Sequence, residues 1–183
     1  MLDVRATELD GVLEIRARRI GDARGFFSET WNRASWGEAG IDHAFVQDNH
    51  SCSARGVLRG LHYQLGPMAQ TKLVRVTSGS IFDVAVDIRR SSPSFGRWVG
   101  RTLSAGEWNQ LLVPAGFAHG FLALQDGSEV QYKVDAPFSP AHDRAVNPED
   151  PAISIDWPLP IGERLMSDKD RAAPLLSEAE TFA

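Results

Sequence analysis

His62 and His119 each close a short run that reads as a strand, GVLRGLHYQ at 56–64 and VPAGFAHGF at 113–121. An imidazole can take up and return a proton near neutral pH or bind a transition metal, so each histidine is a candidate base or ligand. Alternate side chains of a strand share a face, so His62 and Gln64 are expected to point together. Lys72 opens the next run, and Tyr132 lies in a further one at 129–134. A lysine can sit beside a developing oxyanion, and a phenol can donate a proton. Taken singly, each has an ordinary explanation: a histidine filling a polar gap, a solvated lysine, a tyrosine packed in a strand. That explanation weakens because all four fall on strands that a barrel would gather.

The Pro-x-Gly-x-x-His pattern ending at His119, together with the His62 strand, resembles the two motifs of the cupin superfamily. Metal-binding cupins carry His-x-His and then Glu in the first motif; here Gln64 replaces the second histidine and no Glu follows closely. A catalytic metal usually takes three protein ligands, and Gln is a poor one beside imidazole. No metal site is therefore expected, which counts against a metal-dependent oxygenase.

The elements that must hold these residues read as short strands broken by Gly, Pro, Asp and Ser, the pattern of an antiparallel barrel or sandwich. Strands are predicted over 57–64, 72–77, 81–89, 98–103, 109–113, 119–124 and 129–134, with Ser78-Gly79 as a hairpin turn between the second and third. A short helix is expected over 32–40, capped by Asn32 or Ser35, and another over 167–176. The segment 137–162 holds six prolines and should wrap a surface rather than build a second core. The expected organisation is one domain over 1–183, with a core at about 45–136, an N-terminal arm at 1–44 and a wrapping segment at 137–183. The fold class is all-β: a jelly-roll barrel with short terminal arms and one or two short helices.

With 183 residues, 43% of them apolar, the chain can bury a core without disulfides, and its one cysteine, Cys52, cannot form an internal bridge. It opens with no secretory signal and holds no apolar run long enough to span a bilayer, so a cytoplasmic protein is the expectation. A net charge of −5 argues against nucleic acid as a partner but leaves room for a small anion.

Several stretches together are similar to the dTDP-4-dehydrorhamnose 3,5-epimerase family: DARGFFSETW at 22–31, VQDNHSCSARGVLRGLHYQ at 46–64, KLVRVTSGSIFDVAVDIRRSSPSFGRW at 72–98, LLVPAGFAHGFLAL at 111–124, EVQYK at 129–133, NPEDPAISIDWP at 147–158 and SDKD at 167–170. The similarity runs from about Ala6 to Pro174, with the motifs in the family's order. It implies a dTDP-linked 4-keto-6-deoxy sugar as substrate, inverted at the carbons flanking the ketone through an enolate, with no cofactor. It further implies His62 as base, Asp170 (with Asp168 as a rival) orienting it, Tyr132 as acid, and Lys72 at the C4 oxygen. For binding, it implies Arg24 and Arg59 at the diphosphate, Gln47, Asp48 and Asn49 on a loop before the His62 strand, Glu29 at thymine N3–H and Phe138 stacked on the base. Lys169 matches a binding lysine, while Asp143 stands where the family more commonly has Glu. His119 either contacts the sugar or pairs with Asp83 beneath it.

Strict alternation puts Arg59 and His62 on opposite faces, a conflict resolved either by a bulge at Gly60 or by Arg59 lying on the strand's entry turn. The family's N-terminal strands cross to a partner subunit, so a homodimer is implied, with Arg24 and Glu29 serving the neighbour's site and Phe26, Phe27 and Trp31 exposed for the interface. Two other readings remain: an epimerase of one carbon only or of another dTDP-4-keto sugar, and a non-catalytic sugar-nucleotide-binding cupin.

Overall fold

The computed structural model describes residues 2–183. Its strands are β1 (Asp3–Ala6), β2 (Leu13–Arg16), β3 (Ile20–Asp22), β4 (Gly25–Phe27), β5 (Gln47–Ser53), β6 (Leu58–Gln64), β7 (Lys72–Ser78), β8 (Ser80–Asp87), β9 (Trp98–Ser104), β10 (Asn109–Val113), β11 (Phe117–Ala123), β12 (Ser128–Val134) and β13 (Asp143–Ala145). Two short α-helices, α1 (Arg33–Gly37) and α2 (Asp168–Arg171), complete the main elements. The fold is all-β, as the turn-broken strand pattern implied. No helix among the described residues is long and apolar enough to cross a membrane.

Two antiparallel sheets face each other, one ordered β1-β2-β10-β7-β12-β5 and the other β13-β6-β11-β8-β9, with β3-β4 a separate hairpin. Alternation along each strand sorts the side chains into layers. Between the sheets lie Val74, Val76, Leu111 and Val130 from the first, against Ile81, Ala85, Phe117 and Phe121 from the second. The outer face of the five-stranded sheet carries Leu58, Leu61, Val84, Val86 and Leu122, and the proline-rich C-terminal segment covers it with Ile153, Trp157 and Leu176. That segment holds its course by side-chain bonds to its own backbone. Trp157 Nε1–H donates to the Pro148 carbonyl at 2.9 Å, and Asp150 accepts from the Leu176 amide at 2.7 Å. On the other outer face, Trp36 of α1 packs with Ile15, Leu73 and Leu112.

Five expectations need correction. Ser78-Gly79 does not turn a hairpin: β7 belongs to the six-stranded sheet and β8 to the five-stranded one, so Gly79, at φ +73°, carries the chain from one layer to the other. A two-residue turn signal reports reversal, but not whether the strands beside it pair. Gln47, Asp48 and Asn49 lie within β5 and pair with β12, not on a loop; a strand so rich in polar residues hides its period. Trp31 is half-buried, edge-on to Trp36 at 4.9 Å and Phe45 at 4.6 Å, because those rings give it an apolar seat within its own chain. The tail helix is confined to Asp168–Arg171, and Pro174, which disfavours helical backbone before it, limits extension. The first helix is likewise shorter than 32–40, with Asn32 as its cap.

The expected irregularity at Gly60 is present. His119 of β11 lies opposite His62, yet two residues further on Phe121 lies opposite Arg59, three residues back on β6. The extra residue in β6 returns Arg59 and His62 to one side of the sheet. Gly60 sits at φ +141°, and a Cβ there would stand 2.7 Å from the Gly120 Cα. Gly60→Ala is therefore expected to cost upwards of about 2 kcal/mol, since both the backbone angle and the contact oppose it. A urea-unfolding midpoint unchanged from wild type would contradict that account.

Candidate active site

At one end of the sandwich the apolar layer between the sheets gives way to polar side chains around an open cleft of about 750 Å³. Its walls come from both sheets: β6 and β11 supply His62, Arg59 and His119, while β5, β7 and β12 supply Asn49, Lys72 and Tyr132. α2 and β13 close one side with Asp170, Lys169 and Asp143.

His62 Nε2 stands 2.6 Å from Asp170 Oδ1. Burial opposes ionisation of Asp170, but bonds from His62, from the Ser167 hydroxyl and from the Gly60 amide outweigh it and hold the carboxyl below its usual value. An ionised Asp170 only accepts, so a neutral His62 carries its proton on Nε2 and its lone pair on Nδ1. Asp168, the rival orienting carboxylate, is exposed. Ser167, which the sequence reading overlooked, caps α2 by accepting from the Asp170 amide at 3.1 Å. Its signal was legible as serine placed three residues ahead of an acidic one, a helix-start pattern.

Lys72 is buried, and its ammonium donates to the His62 carbonyl at 3.0 Å. Burial draws its pKa down to about 8, against the raising influence of Asp143 and Asp83. Tyr132 is half-buried on the facing sheet; burial pushes its hydroxyl up, and Arg59 pulls it back in part. His119 Nε2 pairs with the fully buried Asp83 Oδ1 at 2.8 Å. Gln64 also lines the cleft, but its amide is already committed. It donates to the Met68 and Pro137 carbonyls at 2.7 and 3.1 Å and accepts from the Ser139 amide at 2.7 Å, clamping two loops. Among the described residues, no three His, Cys, Asp or Glu side chains converge as a metal centre would require.

A sequence profile described as dTDP-4-dehydrorhamnose 3,5-epimerase matches residues 6–178. The dTDP-4-dehydrorhamnose 3,5-epimerase of Pseudomonas aeruginosa is 50% identical over 182 residues, covering 98% of this chain and 99% of that protein. The chain belongs to the dTDP-4-dehydrorhamnose 3,5-epimerase family. It is an isomerase acting on nucleotide sugars, on a cupin-like fold. Its structure superposes with a TM-score of 0.93 on the Legionella pneumophila dTDP-6-deoxy-D-glucose-3,5-epimerase in complex with dTDP-4-keto-L-rhamnose, at 44% identity, covering 97% of this chain and 94% of that one. The Bacillus anthracis dTDP-4-dehydrorhamnose 3,5-epimerase with TDP and PPi bound gives a TM-score of 0.92 at 46% identity, covering 96% and 99%.

Within this epimerase, most of the expected binding residues surround the same cleft as His62. Arg59 lies on its wall, Nε donating to Ser53 Oγ at 3.2 Å. Gln47 accepts from the Phe138 backbone amide at 2.9 Å and donates to Asn49 at 2.9 Å, so it ties the backbone that carries the exposed Phe138 to the rim. Asp143 and Lys169 also line the cleft and pair with each other at 2.6 Å, tying β13 to α2.

Three expected residues lie elsewhere in the single chain. Asp48 alternates to the outer face of the six-stranded sheet, where Lys133 holds it at 2.7 Å beside a recess of about 240 Å³. Arg24 projects from the β3-β4 hairpin with its side chain 89% exposed and paired to Asp22. Glu29 accepts from Asn32 and Ser35 at 3.1 Å, lining a recess near α1.

The Asp170 arrangement has a measurable consequence for acid stability. Its carboxyl gives up a proton more readily folded than unfolded, so its contribution is in place above the ordinary carboxylate pKa and is lost as pH falls towards the folded value. Asp170→Asn should therefore flatten the loss of stability between about pH 5 and 3. Parallel denaturation curves for variant and wild type over that window would contradict the charge assignment.

Proposed function

We propose that the chain inverts C3 and C5 of dTDP-4-dehydro-6-deoxyglucose to give dTDP-4-dehydrorhamnose, with His62 as base and Tyr132 as acid. One observation carries this reading: the two side chains stand on opposing sheets that wall a single cleft. Inversion needs a proton removed from one face of a carbon and returned to the other. A sugar ring lying between the sheets would present one face to each residue.

In this reading His62 Nδ1 takes the proton α to the ketone, and the C–H electron pair moves onto the C4 oxygen as an enolate. A positioned base of this kind contributes roughly 10²–10⁴ in rate. Asp170 holds the ring and balances the imidazolium that forms, as an orienting carboxylate does. The Lys72 ammonium donates to the C4 oxygen, where a preorganised donor can be worth about 3–4 kcal/mol in the transition state. Tyr132 then delivers its hydroxyl proton to the opposite face of the carbon, and the ketone re-forms. Arg59 and Lys169 hold the diphosphate, Phe138 stacks on the thymine, and Gln47, Asn49, Asp143 and His119 complete the polar wall. The reading requires no metal or organic cofactor.

We further propose a homodimer in which Arg24 and Glu29 serve the neighbouring copy's cleft. In favour of it, both lie outside their own cleft, and the same N-terminal hairpin exposes Ile20, Phe26 and Phe27. Residues 1–183 then act as one unit, the segments at 1–44 and 137–183 bracing a core at about 45–136.

Incubation with the 4-keto sugar in deuterated water tests the activity. Deuterium at both C3 and C5 is expected; label at one carbon would favour a single-carbon epimerase, and at neither a binding protein. His62→Ala should abolish both exchange and inversion. Tyr132→Phe should let His62 wash deuterium in with configuration retained while inversion collapses; near wild-type inversion would remove Tyr132 as the acid. Arg59→Ala should weaken dTDP binding by about 10- to 150-fold, the loss of a charge-assisted contact, and an unchanged dissociation constant would take Arg59 out of the site.

A further inference from the structure

Two histidines, each paired to an aspartate, stand side by side on the cleft wall, and the reaction above draws its proton acceptor from only one. His119 lies directly opposite His62 in the β6/β11 ladder, and its carboxylate partner, Asp83, comes from the next strand, β8. Asp83 is wholly buried, and its second oxygen, Oδ2, has no hydrogen-bond partner among the described residues. A buried carboxylate so thinly satisfied is costly unless a cation lies near enough to balance it. Lys72 is a buried cation whose charged form Asp83 favours, and both side chains face the space between the sheets, from β7 and β8. Its ammonium serves one acceptor in the chain, the His62 carbonyl, which leaves N–H donors over.

We propose that Asp83, steadied by His119, is the counter-ion that keeps Lys72 charged in its buried position, and so is a positioning residue for the reaction. This rests on the part given to Lys72 under the proposed function. The titratable and charged groups that line the cleft with Lys72 are His50 from β5, Arg59, His62 and Tyr63 from β6, His119 from β11, Tyr132 from β12, Asp143 from β13, and Lys169 and Asp170 from α2, while Asp83 of β8 is buried in its pair with His119. Of the two carboxylates that favour its charged form, Asp143 has the larger influence but is already bonded to Lys169 at 2.6 Å, whereas Asp83 is bonded to no Lys or Arg, only to His119. With its pKa already drawn to about 8, Lys72 has little margin above neutrality. Removing the Asp83 charge should carry it lower, because a neutral amine costs less to bury than an ammonium.

The chain's lysines are Lys72, Lys133 and Lys169, so lysine labelled with ¹³C at Cε gives a spectrum simple enough to follow Lys72 by pH titration. In Asp83→Asn the Lys72 midpoint should fall by at least about one pH unit, a tenfold loss of proton affinity. The alkaline limb of the kcat profile should move down with it, while dTDP affinity stays within about twofold, well under the tenfold step. An unmoved midpoint, or a kcat lowered equally at every pH, would overturn the proposal and leave Asp83 a structural residue. If Asp83→Asn does not fold, the wild-type titration decides: a midpoint of 7 or above supports the counter-ion, and one below 7 overturns it. Undiminished inversion by Lys72→Met would instead sink the role given to Lys72 in the reaction, while a shifted midpoint in Asp83→Asn would still stand.

Discussion

The hydrogen bond between His62 and Asp170 joins side chains 108 residues apart, and most of the C-terminal third is arranged so that it can form. β13 pairs with the end of β6, and Leu165 bonds to Gly56 and Leu58 near its start, so the returning chain follows the edge of the strand that carries His62. Ser167 then starts α2 and fixes the Asp170 backbone. Without that carboxylate nothing would assign the imidazole proton to Nε2 and the lone pair to Nδ1. The proline-rich segment leading there is therefore more than a cover for the outer sheet. Its buried Trp157 and Asp150 set the path that delivers one carboxylate.

A second constraint comes from placing charge between two sheets. Over most of the sandwich the inner layer is aliphatic and aromatic, and each contact there is non-directional. At the cleft end the same inward positions are Lys72, Asp83, His119 and Tyr132, where burial penalises every unpaired charge. The pairs that result, Asp83 with His119 and Asp170 with His62, are directional and lock ring orientation. The cleft is thus bonded and buried where chemistry is proposed and exposed at Phe138, on its rim.

Gly60 connects these two features. A regular β6 would send Arg59 to the covered face, beside Leu61 and the C-terminal apolar residues. One extra residue, with Gly60 against the Gly120 backbone, turns Arg59 back towards the cleft and allows the Gly60 amide to reach Asp170. The same local irregularity therefore serves both a cation on the cleft wall and the orienting carboxylate.

Much of this was legible in the residues themselves. Alternating apolar runs and dense turn residues specify an antiparallel β fold, because period-two burial depends only on local chain geometry. The run of matching motifs, from DARGFFSETW to SDKD, specified the family and brought His62, Tyr132, Lys72 and Asp170 into question together. What local signals could not fix was partnership. Ser78-Gly79 has the composition of a hairpin turn yet links two sheets, since strand pairing is settled by which apolar faces meet. Gln47–Asn49 looked like a loop because a strand with polar residues on both faces has no period to read. Asp48 turned away from the cleft for the same reason that Gln47 and Asn49 turned towards it. Asp83 and His119 lie 36 positions apart, and only two neighbouring strands brought into one ladder could make them a pair. The chain's order of residues determined which chemistry was available; the packing of two sheets decided which side chains face one another across the cleft, because that distance is set by layers and not by sequence.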